Sequence, residues 1–325
     1  MDTTPIEIVA DRLAWLLKSW SSIEWRVRLD YKNVNFTESG GAHLYSAYTE
    51  FGHYVETAAG LRLSEEELQL ADSNTGSINR YYCDGKRCSH LYRKREQAPD
   101  EGQVRINRFF GNEETGHSHR PEPFQSFYFG LRSLDKAIRE AESLGEGVHA
   151  SRPCDLFLLR KETDGGSVVY FLDRETSVPL KVVHYATEAD RQADRVLFEW
   201  SGKAIERREG YPIVPASELV HYRHEPNGSR VVLYHCHYNV EDFRLNQPQD
   251  PAQFWPVITP KMNVLDMVNR KAHFPKRSET SKQITQDAGS RLIPEERSIP
   301  QGAIFVGLGF AMIAVAGWLW WRRRA

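Results

Sequence analysis

Ile23-Glu24-Trp25-Arg26-Val27-Arg28-Leu29-Asp30-Tyr31-Lys32 alternates between apolar and charged side chains over ten residues. Successive side chains of an extended strand point to opposite faces, so this stretch puts every apolar group on one face and every charge on the other. It predicts a β-strand in a sheet that is covered on one side and wet on the other.

The period changes on the N-terminal side. Ile6, Val9, Leu13, Leu16, Leu17 and Trp20 recur at three- and four-residue steps, the apolar stripe of a helix. Thr4-Pro5-Ile6-Glu7 reads as an N-cap, a first-turn proline and the returning glutamate of a capping box. A helix followed at once by such a strand is expected to lie on the strand's apolar face.

On the C-terminal side, short extended segments follow one another with tight connections. They are His43–Tyr54, the pair Asn79–Cys83 and Cys88–Lys94 around Asp84-Gly85, and the pair Asp155–Glu162 and Ser167–Asp173 around Asp164-Gly165-Gly166. Leu180–Thr187, Arg195–Trp200, Leu219–His224 and Arg230–Phe243 complete the series. A parallel α/β fold would need a helix after nearly every strand. The reading is therefore an α+β chain built on one strongly curved antiparallel sheet. One internal helix is expected from Ser133 as cap, through Leu134, Ile138 and Ala141, to Gly145. Residues 95–123, rich in Glu, Gly, Arg and Pro, read as a long excursion.

Composition places few limits on function. The chain has 325 residues, 42 basic against 44 acidic, for a net charge of −2. That balance argues against nucleic acid as a partner. Gly302–Trp321 is different: 20 residues without a charge, long enough as a helix to span about 30 Å of hydrocarbon. Trp318, Trp320 and Trp321 crowd its end as side chains do at a membrane interface, and Arg322, Arg323 and Arg324 follow. Without those arginines the chain carries 39 basic and 44 acidic residues, a net of −5. The organisation expected is a folded domain over 1–275, a flexible polar linker over 276–301, a transmembrane helix over 302–321 and a basic tail over 322–325. Arginines favour the cytoplasmic side, which predicts an extracytoplasmic or periplasmic domain on a single-pass C-terminal anchor. Met1-Asp2 and the amphipathic stretch after it do not read as a leader, so insertion of the tail after synthesis and a cleaved sorting tail are the alternatives.

The four cysteines are Cys83, Cys88, Cys154 and Cys236. A Cys83–Cys88 disulfide requires a four-residue loop; a two-residue Asp84-Gly85 turn would place Cys83 opposite Lys86, four cysteines allow three full pairings, and free buried thiols are the plainer alternative. Phosphate-binding glycine loops and nucleophile elbows are absent from the sequence, and no enzyme or cofactor is expected. Histidines cluster at His117/His119, at His221/His224 and at His235-Cys236-His237. His235 and His237 share one strand face and are the candidate ligands of a zinc or copper ion, set against the plainer reading as solvent-facing strand residues.

Two segments resemble the lipoprotein-carrier family of LolA and the RseB-type regulators. Arg80–Arg87 is similar to that family's strand–Asp-Gly-Lys hairpin, and Tyr170–Lys181 to its strand ending in Leu-Asp, a turn with Thr, and a returning Pro-Leu strand. Phe254–Asp266 looks like the C-terminal element of large bacterial members, departing at Lys261-Met262, where a Pro-Gly type turn is expected. The resemblance spans about residues 6–271 and implies an incomplete β-barrel wrapped around helices with an apolar cavity. It further implies a non-catalytic, membrane-anchored protein of the cell envelope that binds a lipoprotein, acyl chain or other hydrophobic ligand. The alternatives are an RseB-like sensor that contacts an envelope protein and, last, a metal-dependent enzyme. Trp25, Val27, Leu29 and Tyr31 are the candidate cavity wall; their plainer role is core packing.

Overall fold

A computed structural model describes residues 4–274, except 33, 37–42, 46–47, 71–75, 85–86, 109–123, 130–131, 162–164 and 226–227. The expected linker, membrane segment with its tryptophans and arginines, and basic tail lie outside the described residues, as do His117 and His119. Among the described residues no helix is long and apolar enough to cross a membrane.

The chain is mostly β. The strands of the first meander are β1 (Ser22–Lys32), β2 (Tyr48–Thr57), β3 (Arg62–Leu70), β4 (Gly76–Cys83), β5 (Arg87–Lys94) and β6 (Gly102–Arg108). Those of the second are β7 (Glu142–His149), β8 (Arg152–Arg160), β9 (Ser167–Asp173), β10 (Pro179–Tyr185), β11 (Val196–Gly202), β12 (Ala216–His224) and β13 (Arg230–Leu245). Two more follow, β14 (Met262–Asp266) and β15 (Lys271–His273). Together they form one 15-stranded sheet in the order β7-β8-β9-β10-β11-β12-β13-β1-β2-β3-β4-β5-β6-β14-β15. The sheet is curved and open, with β7 and β15 at its edges. The two meanders meet where β13 pairs with β1, from Ile23 opposite Leu245 to Lys32 opposite His235. A bulge between Arg26 and Val27 admits the extra residue Glu241 on the longer strand. The expectation of a wholly antiparallel sheet fails at one place: β14 runs parallel to β6, because the chain returns from the far end of β13 rather than by a hairpin.

The first helix, α1 (Ile6–Lys18), begins as expected but is capped differently. Pro5 is the N-cap and no side chain caps the first turn, so the Thr4–Glu7 capping box does not form. Its stripe of Val9, Leu13 and Leu16 is at most 1% exposed and shares a core with Trp25, Val27 and Leu29. Burying each such side chain contributes about 1.5–3 kcal/mol, which holds the helix to the strand. The end of α1 is tied down by Leu16, whose carbonyl accepts from the Trp20 indole at 3.1 Å and from the Tyr211 hydroxyl.

The internal helix is much shorter than its pattern suggests. Only α2 (Leu134–Ala137) is α-helical, with a 3-10 turn over Ile138–Glu140. Ser133 makes no capping hydrogen bond, and Gly145 lies within β7 at a register shift, with φ +96°. Leu134, Ala137 and Ile138 are fully buried, so the apolar spacing was correctly read as a core face and wrongly as several turns of helix.

The sheet is not wet on its entire second face. Val55, Leu63, Tyr82, Leu91, Val104 and Ile106 form a separate core with Phe254 and Met262. Val55 is the register partner of Glu24, so this core lies on the charged face of β1, on the side away from α1. The segment around the 3-10 turn Pro251–Phe254 and β14 covers it. Each half of the sheet is thus covered mainly on the face opposite to the other half.

Candidate functional site

On the charged face of β1 lies a groove of about 380 Å³ walled by Arg26, Phe51, His53, Glu65, Arg80 and Glu241 among others. Cross-strand register builds it, since Arg26, His53, Glu65 and Arg80 are successive partners from β1 to β4 and so share a face. Glu241, the bulge residue, closes the β13 side.

The charges form a connected row. His53 Nε2 is 2.9 Å from Glu24 Oε1, and His53 Nδ1 is 3.3 Å from Glu65 Oε2. The other oxygen of Glu65 lies 2.7 Å from Arg80 Nε. A carboxylate stands at each ring nitrogen of His53: the Glu65 hydrogen bond raises its pKa, burial opposes this, and Glu24 adds to it. Glu65 is correspondingly held below the usual carboxylate range by the His53 hydrogen bond, against its own burial and with help from Arg80.

The opposite face of the same strands carries Glu50 and Glu66. Glu50 is the register partner of Leu29, and Glu66 of Gly52. Burial, reinforced by Glu66, pushes Glu50 up to about 7, and burial also raises Glu66. The glycine between them is required: a Cβ on Gly52 would lie 2.7 Å from Val27 Cγ2. Tyr81 stacks on His90 at 4.4 Å beside these carboxyls, its phenol pushed up to about 12 by burial and by the two glutamates.

Of the residues singled out from sequence, Trp25, Val27 and Leu29 are between 1% and 5% exposed and packed in the α1 core, while Tyr31 is half-buried at its margin. These side chains are occupied by packing. Cys83 and Cys88 are register partners and form a disulfide, so the four-residue loop is the correct reading. Cys154 and Cys236 are buried free thiols.

The histidine strand is brought together with a residue the sequence did not flag. Glu218 on β12 is the register partner of His237 on β13. Its Oε2 is 3.3 Å from His235 Nε2, its Oε1 is 3.4 Å from His237 Nδ1, and one donor atom from each of the three lies within 4.8 Å of the others. Lys203 Nζ also contacts Glu218 Oε1, at 2.6 Å. His221 is not part of this group: it is one residue beyond Val220, the partner of His235, and packs edge-on against Tyr234 and Phe198 on the other face. His224 instead contacts the Val196 carbonyl at 2.8 Å.

No protein-family model matches the chain, and no curated protein matches it. Among solved structures it is similar to a DUF1329 family protein from Desulfovibrio piger, with 13% identity, a TM-score of 0.44, and coverage of 78% of this chain and 98% of that one. It is also similar to MucB in complex with MucA(peri), with 12% identity, a TM-score of 0.24, and coverage of 75% and 100%. A further likeness, to PNGF-II, has 8% identity and a TM-score of 0.19, covering 84% of this chain and 35% of that one. None of these likenesses assigns the chain to a family.

Proposed function

We propose that residues 4–274 form a non-catalytic binding module of the bacterial cell envelope, tethered to a membrane by residues 302–321, and that it engages a partner protein through the groove at His53. The observation that carries this reading is the fixed row Glu24–His53–Glu65–Arg80 along an open groove. Such a row matches the mixed charges and peptide groups of an extended protein segment, and Phe51 and Ile78 add apolar contact. An acyl ligand is less well served. It needs contiguous apolar surface, and the side chains proposed for that wall are occupied with α1.

A photo-crosslinking side chain at Phe51 in the full chain, expressed in its own cells, tests the reading. One specific adduct is expected, lost in His53→Ala/Arg80→Glu. Absence of an adduct, together with stoichiometric uptake of a fluorescent fatty acid by delipidated protein, overturns it in favour of the lipid-carrier reading.

A further inference from the structure

We propose that Glu218, His235 and His237 bind a zinc-class divalent ion, independently of the groove at His53. The three donors stand on β12 and β13, both interior strands of the sheet, so their backbone positions are set by hydrogen bonds on either side. His235 and His237, two residues apart, point to one face, and the 4.2 Å between their ring centroids keeps both imidazoles at one place.

Two of the spacings match those between neighbouring ligands of a tetrahedral site, and one donor atom from each residue lies within 4.8 Å of the others. With bonds of about 2.0–2.1 Å, neighbouring ligand atoms around zinc are about 3.3 Å apart. The two contacts of Glu218 with the histidines are 3.3 and 3.4 Å. They use different oxygens, so the carboxylate spans both rings, and rotation about its last bond selects one oxygen or both for the ion. Two imidazoles and a carboxylate favour zinc and its neighbours over magnesium or calcium, which take oxygen ligands. Among the described residues the donor set has these three members. Asp30, the partner of His237 on the β1 side, has its Oδ1 engaged by Arg28 at 3.2 Å and by Thr49 at 3.0 Å. Val220, the partner of His235 on the β12 side, offers no ligand atom. The fourth position is left to water, which reaches it because all three side chains are half-exposed.

Lys203 is the competing group. Its ammonium lies 2.6 Å from Glu218 Oε1, the oxygen facing His237, and at 60% exposure it can swing into solvent when the ion enters. Removing it is therefore expected to tighten metal binding, an outcome that scattered surface histidines would not produce.

The test is zinc titration of the purified, chelator-stripped full chain by calorimetry, with cobalt as a visible-absorbing substitute. One ion per chain is expected, with the visible band of four-coordinate cobalt. His235→Gln and His237→Gln should each weaken zinc binding by about tenfold or more. Lys203→Gln should strengthen it, and His221→Gln, on the other face, should leave it unchanged. Circular dichroism checks that each variant folds. Should a histidine variant unfold, the Lys203→Gln and cobalt results still decide. Absence of stoichiometric binding, or binding unchanged in the folded histidine variants, overturns the site.

Discussion

Trp25 and Phe243 stand opposite one another across the junction of β1 and β13, their rings edge-to-face with centroids 4.8 Å apart. This contact lies at the one seam joining the two meanders, and both residues belong to the α1 core. Truncating either to alanine is expected to cost about 3–5 kcal/mol. The double variant should lose less than the sum by about 0.5–1.5 kcal/mol, the edge-to-face pairing itself. Urea unfolding of the four proteins in the cycle measures both quantities.

The His53 row makes stability depend on pH. Because its partners raise the folded-state pKa of His53, the native protein holds that proton more tightly than the unfolded chain. The stabilisation is complete below the unfolded histidine value, about 6.5, and is lost as pH rises through the folded value. His53→Gln should remove this component, leaving a flatter melting-temperature profile above pH 6. An NMR titration placing the His53 pKa at or below 6.5 would contradict the bridged geometry.

Glu50 contributes in the same direction for a different reason. Its folded-state value of about 7 lies above that of a free carboxyl, so the cost of burying the charge is absent in acid, sets in as pH rises past about 4.3, and is complete above about 7. Glu50→Gln is expected to leave stability unchanged at pH 4 and to raise it at pH 8 by roughly 1–3 kcal/mol. Denaturation of both proteins at the two pH values separates this effect from that of His53.

The turn that resembles the carrier family has a physical anchor. Asp173, 1% exposed at its side chain, accepts from Arg152 Nε at 2.6 Å, from the Thr176 main-chain amide at 2.9 Å and from the Thr176 hydroxyl at 2.7 Å. Asp173→Ala leaves these donors without their acceptor and is expected to destabilise by roughly 2–5 kcal/mol. Thr176→Val should cost only about 1 kcal/mol, since the amide contact survives. Thermal unfolding distinguishes the two.

Thiol chemistry should divide the cysteines into two pairs. The Cys83–Cys88 bridge closes a loop of six residues, so reducing it is expected to cost about 2 kcal/mol. Burial pushes the Cys154 thiol up to about 11 and that of Cys236 to about 12. After mild reduction a maleimide should label two thiols in the folded protein and four after unfolding. Labelling of all four while the protein is folded would contradict their burial.

Legibility in the sequence followed exposure to a single environment. β1 was readable because one of its faces meets α1 and the other carries only charge. β3 was missed because both of its faces are polar at Glu65-Glu66-Glu67: Glu65 pairs with His53 and Arg80, while Glu66 lies on the opposite face. β6 was hidden in a Gly- and Arg-rich stretch although Val104 and Ile106 are buried. β7 is an edge strand with mostly exposed side chains, so no apolar alternation marked it. Glu218 could not be joined to His235 and His237 from spacing alone, since nothing local relates residue 218 to residue 237.

The sequence by itself determined the helix-then-strand beginning, the core-facing side of Ile23–Lys32 and the shared face of His235 and His237. These depend on periods of two and 3.6 residues, which are local properties of the backbone. Tertiary structure alone decided that β13 returns to β1 and that β14 joins β6 in parallel. It also placed a second core on the sheet's other face, and aligned Glu24, His53, Glu65 and Arg80 in one row. Those outcomes depend on which distant strands pair and in what register, and a shift of one residue would have turned each of these side chains to the opposite face.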